Sequence, residues 1–458
     1  MPYAVRLTGT LDLAALEDAL NDLVSRHEIL RTTVSVTDGE ATQHVSTHAH
    51  IDLDIISTTG DSSLDERLTA AASAPFDLSV QSPLRATLVR DDRTPDTHVL
   101  LLVVHHIAAD GWSMAPLLGD LSRAYAARCA GGVPGWDALP VQYADYAVWQ
   151  REVLGSEEDP ASVMSGQLAY WRGVLEGSPA ELVLPVDRAR PAVASGRGGS
   201  VPFAVDAVVG EGLARLARER GVSLFMVLHA ALLVVLSRVG AGEDLPVGAA
   251  VAGRSDEGLD DLVGFFVNTV VLRTDVSGDP VFTELLERVR EVHLGAHAHA
   301  DVPFDRLVDA LGVERSAARQ PLFQVMLVLQ NNTQGRLDLP GLTATDVPVR
   351  TGATKFDLTL HLTPGAADGT TELTGAFEFS TDLFDRPTVQ RLQQRFAQVL
   401  RHIAADPAGR LSQLEVLLPG EREALEEWTG TGVGPRVGSI PELFGEQVVR
   451  APGALAVE

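Results

Sequence analysis

Residues 99–104, Val-Leu-Leu-Leu-Val-Val, form an unbroken apolar run that stops at two histidines, His105 and His106. A strand with one wet face alternates apolar and polar residues. A continuous run of this length predicts a strand covered on both faces. Such a strand needs packed layers on each side of its sheet. The two titratable rings place ionisable chemistry at the end of a buried element. His106 lies four residues before Asp110, and Gly111 beside it lets a ligand or another chain approach the backbone closely.

The 458 residues are enough for two or more domains. They carry 62 acidic and 36 basic residues, a formal net charge of −26. That balance argues against a nucleic-acid partner, which needs clustered Lys and Arg, and reads as a solvated acidic surface. Cys129 is the only cysteine, so a disulfide framework and a thiolate metal cluster are both excluded, and a reducing, cytoplasmic setting is expected. The opening Met-Pro-Tyr-Ala-Val-Arg-Leu has neither the charged nor the apolar region of a signal peptide. The longest apolar stretch, 224–236, contains His229 and is short for a bilayer span; it predicts a buried helix and no membrane partner.

Periodicity supplies the coarse layout. A strand over 3–8 precedes a helix with Asp12 as N-cap and Leu16, Leu20, Leu23 and Val24 on one face. Residues 26–34 pass from helix into strand. A helix over 114–128 starts with Ser113 as N-cap and tolerates Pro116 in its first turn. Residues 187–199 are rich in Pro, Gly and Arg and non-periodic, the best internal boundary. The second half predicts helices over 210–221 and 223–239 and strands over 247–252 and 267–272. Phe356, Leu358, Leu360 and Leu362 alternate with polar residues, as do Leu373, Phe377 and Phe379, predicting a hairpin about a turn at 364–369. A helix over 386–405 follows. Beyond Leu418 come an acidic helix, then Gly430, Gly432, Gly434, Pro435 and Gly438, a linker composition.

An unperturbed histidine titrates near roughly 6.5 and suits general-base work at neutral pH. The pattern His-His-x-x-x-Asp-Gly at 105–111 resembles the active-site signature of the condensation domains of nonribosomal peptide synthetases, in the chloramphenicol-acetyltransferase-like superfamily. Five more stretches resemble that family's motifs in order. They are 26–34 (Arg-His-Glu-x-Leu-Arg-Thr), 143–149 (Tyr-x-Asp-Tyr-Ala-x-Trp) and 263–269 (Gly-x-Phe-Val-Asn-Thr). The others are 299–305 (His-Gln-Asp-Val-Pro-Phe-Glu, with departures at Ala300 and Asp305) and 315–324, ending Pro321-Leu322-Phe323-Gln324.

The resemblance implies two acyltransferase-like α/β lobes arranged as a V, with the active site at their junction on a tunnel. It divides the chain into an N-terminal lobe at 1–185, a C-terminal lobe at 186–418 and a linker at 419–439. Residues 440–458 resemble the start of an adenylation domain. The family's opening helix motif is missing, so the first lobe is expected to be N-terminally truncated. The implied reaction joins a donor thioester to the α-amine of an aminoacyl acceptor. Both are carried on the phosphopantetheine of partner carrier proteins, with no cofactor bound by the domain itself.

By the same match His106 is the catalytic histidine, His105 supports the strand end, and Gly111 offers a backbone N–H to the oxyanion. Asp110 orders the loop with Arg254 as its ion-pair partner. Trp112 and Ser113 continue the motif, and His27 is a core or supporting residue. Asn268 and Thr269 belong to the tunnel floor. Tyr143, Tyr146 and Trp149 are packing anchors, while Asp301, Pro303 and Phe304 form a turn that buries a ring. His293, His297 and His299 have a spacing that could hold zinc, but the family uses no metal and only His299 falls on a motif position. The stretch 139–185, with Gln142-Tyr143, and the segment 187–191 resemble those of domains that take a D-configured donor. Docking modules of this family that recruit a tailoring enzyme usually lack the second histidine, present here as His106.

Overall fold

The apolar run forms a strand at the centre of one sheet, and the chain is built around it. The computed structural model describes all residues except 48–49, 58–62, 91–93, 95, 331–334, 366–371, 430–438 and 454–458. The first half comprises β1 (Pro2–Gly9), α1 (Leu13–Arg26), β2 (Thr32–Thr37), β3 (Glu40–Val45), β4 (Leu53–Ser57), α2 (Leu64–Ser73), β5 (Leu84–Arg90), β6 (Thr97–Val104), α3 (Met114–Cys129), α4 (Tyr143–Leu154) and α5 (Val163–Leu175). The second half adds β7 (Gly198–Val205), α6 (Ala207–Arg220), α7 (Leu224–Leu236), β8 (Asp244–Val251), β9 (Asn268–Asp275), α8 (Phe282–Ala298), α9 (Phe304–Ala310), β10 (Val325–Leu329), β11 (Leu342–Val347), β12 (Leu358–Pro364), β13 (Leu373–Ser380) and α10 (Arg386–Ala405). Two short helices follow, α11 (Glu421–Thr429) and α12 (Ile440–Arg450).

The first sheet has the order β11-β1-β6-β5-β4, so β6 is flanked on both sides. Its pairings with β1 and β5 are antiparallel. Both faces are nonetheless dry. Leu100, Leu102 and Val104 pack with Leu16, Leu20 and Leu23 of α1 and Leu117 and Leu121 of α3. Val99, Leu101 and Val103 pack on the opposite face with Leu68 of α2. Burying the apolar side chains of one such strand contributes about 1.5–3 kcal/mol per residue, which pins β6 and therefore the histidines at its end.

The second sheet has the order β7-β13-β12-β10-β8-β9, with β8, β10 and β12 parallel and the rest antiparallel. The predicted hairpin is present as β12 and β13, although β12 begins at Leu358, two residues after Phe356. The predicted turn at 364–369 lies largely outside the described residues. Ser223 caps α7, and every residue from 227 to 236 is buried. The helix continues as one π turn to Ala241, so Leu224–Ala241 is long and apolar enough to cross a membrane; its burial within the protein identifies it as the core helix of this lobe.

The two sheets exchange segments along the chain. Leu168 and Trp171 of α5 pack with Val270, Val271 and Leu272 of β9 in the second lobe. In return β11 pairs antiparallel with β1 of the first sheet, Ala4 opposite Val347 through Gly9 opposite Leu342. Arg254 and Phe266 reach the first lobe from the connection between β8 and β9, and it is there that the lobes meet.

Candidate active site at the lobe junction

His105 and His106 follow the last residue of β6 and precede α3, at the edge of the buried sheet. Backbone bonds fix the turn: His105 N–H donates to the Pro83 carbonyl at 2.7 Å, and Ala108 N–H to the His105 carbonyl at 2.9 Å. The adjacent rings take opposite tautomers. His106 Nδ1 lies 2.9 Å from the Ala109 carbonyl, which can only accept, so Nδ1 carries the proton and Nε2 holds the lone pair. His105 Nδ1 accepts from Ile107 N–H at 3.1 Å, so its lone pair is occupied. The His105 ring stands edge-on to Phe76 at 5.6 Å, and Phe76 in turn carries the Arg85 guanidinium over its face at 3.9 Å. His105 is thus held as part of the strand end.

Burial lowers His106 below the ordinary histidine value, and the positive charge of Lys355 adds to that effect; the bond to Ala109 opposes it without reversing it. Burial also lowers His105. His106 is therefore neutral at physiological pH, with Nε2 able to accept a proton or hydrogen bond. Lys355 is the only lysine in the chain.

Asp110 is fully buried, and both of its oxygens are used. Oδ1 accepts from Ser113 N–H at 2.9 Å, and Ser113 Oγ lies at the same distance from it. Oδ2 accepts from Phe266 N–H at 2.9 Å and Val267 N–H at 3.0 Å, across the lobe junction. The carboxylate faces away from proton chemistry and ties the histidine turn to the second lobe.

Arg254 reaches the same cluster. Its Nη2 lies 3.8 Å from Asp110 Oδ1, donates to Ser113 Oγ at 3.0 Å and to the Leu262 carbonyl at 2.9 Å. Its Nη1 bonds the Leu259 carbonyl, and its plane covers the Phe266 ring at 4.2 Å. The expected partnership with Asp110 exists, mediated largely by Ser113.

Ser113 itself differs from expectation. α3 begins after it, but its side chain makes no cap bond. The hydroxyl donates to the Gly264 carbonyl at 2.7 Å and accepts from Gly264 N–H at 3.2 Å. Asp110 takes over the end of the helix, leaving Ser113 to bridge the lobes. Two glycines make this approach possible. A Cβ on Gly253, whose φ is +64°, would lie 1.9 Å from the Phe266 carbonyl oxygen; one on Gly264 would lie 2.3 Å from the Tyr143 ring.

The other predicted residues fall into place around this hub. Gly111 is exposed and Trp112 half-buried at the site's edge. Asn268 satisfies its whole amide: Nδ2 donates to the carbonyls of Ala300 and Val302 at 2.8 and 2.7 Å, and Oδ1 accepts from Thr269 and Phe304 N–H at 2.9 and 3.1 Å. It locks β9 to the 299–305 turn, where Phe304 is half-buried against Phe323. Gln167 of α5, unremarked in the sequence, secures the same turn from Asp301 and Val302.

His27 is buried away from the site, with Nε2 2.9 Å from Asp120 Oδ2, which also accepts from Arg26. Burial works to raise the Asp120 carboxyl, but the bonds and charges of His27 and Arg26 outweigh it and lower the carboxyl. Tyr146 is buried with its ring tilted against Phe266, 4.7 Å between centroids, and the Tyr143 hydroxyl donates to the Phe265 carbonyl at 2.9 Å. Trp149 departs from the anchor role: it is 45% exposed, because α4 turns only its Tyr143–Tyr146 face inward. The three histidines with metal-like spacing diverge. His293 meets His229 at 3.0 Å, His299 stacks on Tyr170 at 3.8 Å, and His297 is exposed.

This geometry agrees with comparison to known proteins. The family model described as "Condensation domain" matches residues 1–426. The chain belongs to the condensation-domain family of nonribosomal peptide synthetases. It is 49% identical over 456 residues to a probable non-canonical nonribosomal peptide synthetase, CymA, of Salinispora arenicola, covering 100% of this chain and 6% of that one. It is 45% identical over 462 residues to a dimodular nonribosomal peptide synthase of Bacillus subtilis, covering 100% of this chain and 19% of that one. The chain therefore spans less than a fifth of these relatives. Among solved structures, the X-domain from teicoplanin biosynthesis superposes with a TM-score of 0.86 at 37% identity, over 91% of this chain and 93% of that one. The fold is thus the chloramphenicol-acetyltransferase-like α/β fold of condensation domains.

Proposed function

We propose that this condensation domain forms an amide between a donor acyl thioester and an acceptor aminoacyl α-amine, both carried on the phosphopantetheine of partner carrier proteins. The observation that carries the reading is His106: neutral, with Nδ1–H fixed on Ala109 and the Nε2 lone pair available at the lobe junction. The amine attacks the thioester carbonyl, the C–N bond forms, the C–S bond breaks, and the donor thiol leaves with the proton. Nε2 of His106 accepts a hydrogen bond from the amine, which orients its lone pair toward the carbonyl; the proton the nitrogen loses as the C–N bond forms passes through Nε2 to the leaving thiolate. The Gly111 N–H is assigned to the developing oxyanion. His105, Asp110, Ser113 and Arg254 hold the geometry without touching substrate.

The same reading includes lobes at 1–185 and 186–418, a linker at 419–439, an adenylation domain beginning at 440, a D-configured donor and a cytoplasmic setting. The test is acyl transfer between two loaded carriers in the presence of wild type or His106→Ala. Transfer that is lost in the variant supports the reading.

A second reading has one supporting observation. The X-domain from teicoplanin biosynthesis, also solved in complex with OxyB, is 37–38% identical to this chain. A recruiting module would bind a partner enzyme, and the His106→Ala variant would bind it equally well.

A further inference from the structure

The segment 264–267 crosses to the histidine turn with its backbone held at every residue. Gly264 bonds Ser113 through both its N–H and its carbonyl; the Phe265 carbonyl accepts from Tyr143; Phe266 and Val267 donate to Asp110. The side chains are treated unevenly. Val263 and Phe266 are 1% and 4% exposed and belong to core clusters, while Phe265 is 40% exposed and joins none of the clusters of the described residues. Its ring instead meets His106, at 5.0 Å between centroids and 76° between planes. A large apolar ring in water on a loose loop would fold inward. Here the backbone is fixed, so the ring is presented, and it is presented at the imidazole.

We propose that Phe265 is the wall that reads the acceptor side chain: its ring packs against the substituent on the acceptor α-carbon and holds the plane of the His106 ring. The argument rests on the functional reading above, in which the acceptor amine bonds His106 Nε2. The α-carbon lies one bond from that amine, so its substituent falls beside a ring in contact with the imidazole. An apolar, T-shaped partner of this kind favours aliphatic and aromatic side chains. Glycyl acceptors have no substituent to feel it. The donor's side chain lies beyond the scissile carbonyl and is not read by this residue.

The experiment compares leucyl- and glycyl-loaded acceptor carriers with one donor, using wild type, Phe265→Ala and Phe265→Leu. In Phe265→Ala the leucyl-to-glycyl ratio of kcat/KM falls by on the order of tenfold. Phe265→Leu restores most of it, and the ratio between two different donors is unchanged. An unchanged acceptor ratio, or equal losses on both acceptors, overturns the proposal. A rise in the ratio overturns it too, since the ring would then obstruct rather than pack.

A second readout does not need turnover. NMR of the His106 ring in Phe265→Ala shows loss of the aromatic ring-current shift and a pKa moved up toward the ordinary histidine value. An unaltered His106 resonance overturns the positioning half. Wild type that transfers to neither acceptor refutes the functional reading instead, and the NMR result still stands by itself.

Discussion

Replacing Asp110 by alanine separates a carboxylate that builds the site from one that moves protons. The side chain accepts three backbone hydrogen bonds at 2.9–3.0 Å, one from its own turn and two from the second lobe, with Arg254 at 3.8 Å. Charge-assisted bonds contribute about 1.5–3 kcal/mol each, so their sum has an upper bound of roughly 4.5–9 kcal/mol. The realised loss is smaller, because the Ser113 hydroxyl keeps the Gly264 carbonyl and water enters the void. Removing one partner of a buried ion pair costs about 3–5 kcal/mol, which sets the expected range. With an unfolding entropy near 2.1 cal/mol/K per residue, this chain unfolds with ~1 kcal/mol/K, so the melting temperature drops by ~3–5 °C. Asp110→Asn loses nearly as much, since an amide has one oxygen and turns an NH2 toward one pair of donors. The assay is thermal unfolding beside acyl transfer, each on wild type and both variants. Unchanged melting temperatures together with lost transfer would refute the structural role and return Asp110 to the chemistry.

Other perturbations have equally definite signs. Lys355→Met removes the positive charge that helps hold His106 low, so His106 rises and the acid limb of the pH–activity profile moves to higher pH, whereas Lys355→Arg leaves it in place. The buried pair His229–His293 stays neutral: burial drives His229 well down and His293 to about 4. The unfolded chain therefore binds more protons below the ordinary value, and stability is lost as pH falls from about 6.5 toward about 4, by ~3 kcal/mol for His293. The double variant His229→Leu/His293→Phe shows a shallower loss over that window in denaturant titrations. Asn268→Ala frees three hydrogen-bonding groups at the 299–305 turn and one on β9, and lowers stability by about 2–4 kcal/mol, read from the urea midpoint. Gly253→Ala puts a Cβ into the Phe266 carbonyl and destabilises the loop between the lobes, seen as faster proteolysis there.

Much of this was legible in the residues. The run at 99–104 announces a strand dry on both faces because its period is absent, and α1 announces itself through Leu16, Leu20, Leu23 and Val24. The histidine motif and Arg254 were legible as one cluster through family resemblance. What escaped was everything set by contact at a distance. Ser113 looks like a cap because helices commonly start with serine. Nothing local says that Asp110 takes the helix end while the hydroxyl bridges to Gly264. Phe265 reads as one more apolar residue before a strand, and only the burial of Phe266 beside it shows which of the two rings faces the site. Gln167 gives no periodic signal, since a buried amide is visible only through its partners. Lys355 did leave a mark, as the single lysine among 36 basic residues. The return of β11 to the first sheet follows from long-range pairing that no local pattern encodes.

The central claim is that a neutral His106 at the lobe junction supports amide formation between two carriers. The most direct test mixes the chain with a donor carrier bearing a D- or L-configured dipeptidyl thioester and an aminoacyl-loaded acceptor carrier, and follows the acceptor by intact-mass spectrometry. The account predicts a mass gain equal to the donor acyl group, lost in a folded His106→Ala variant and greater with the D-configured donor. An acceptor left unextended by wild type while both carriers bind, or extended equally by His106→Ala, would contradict it.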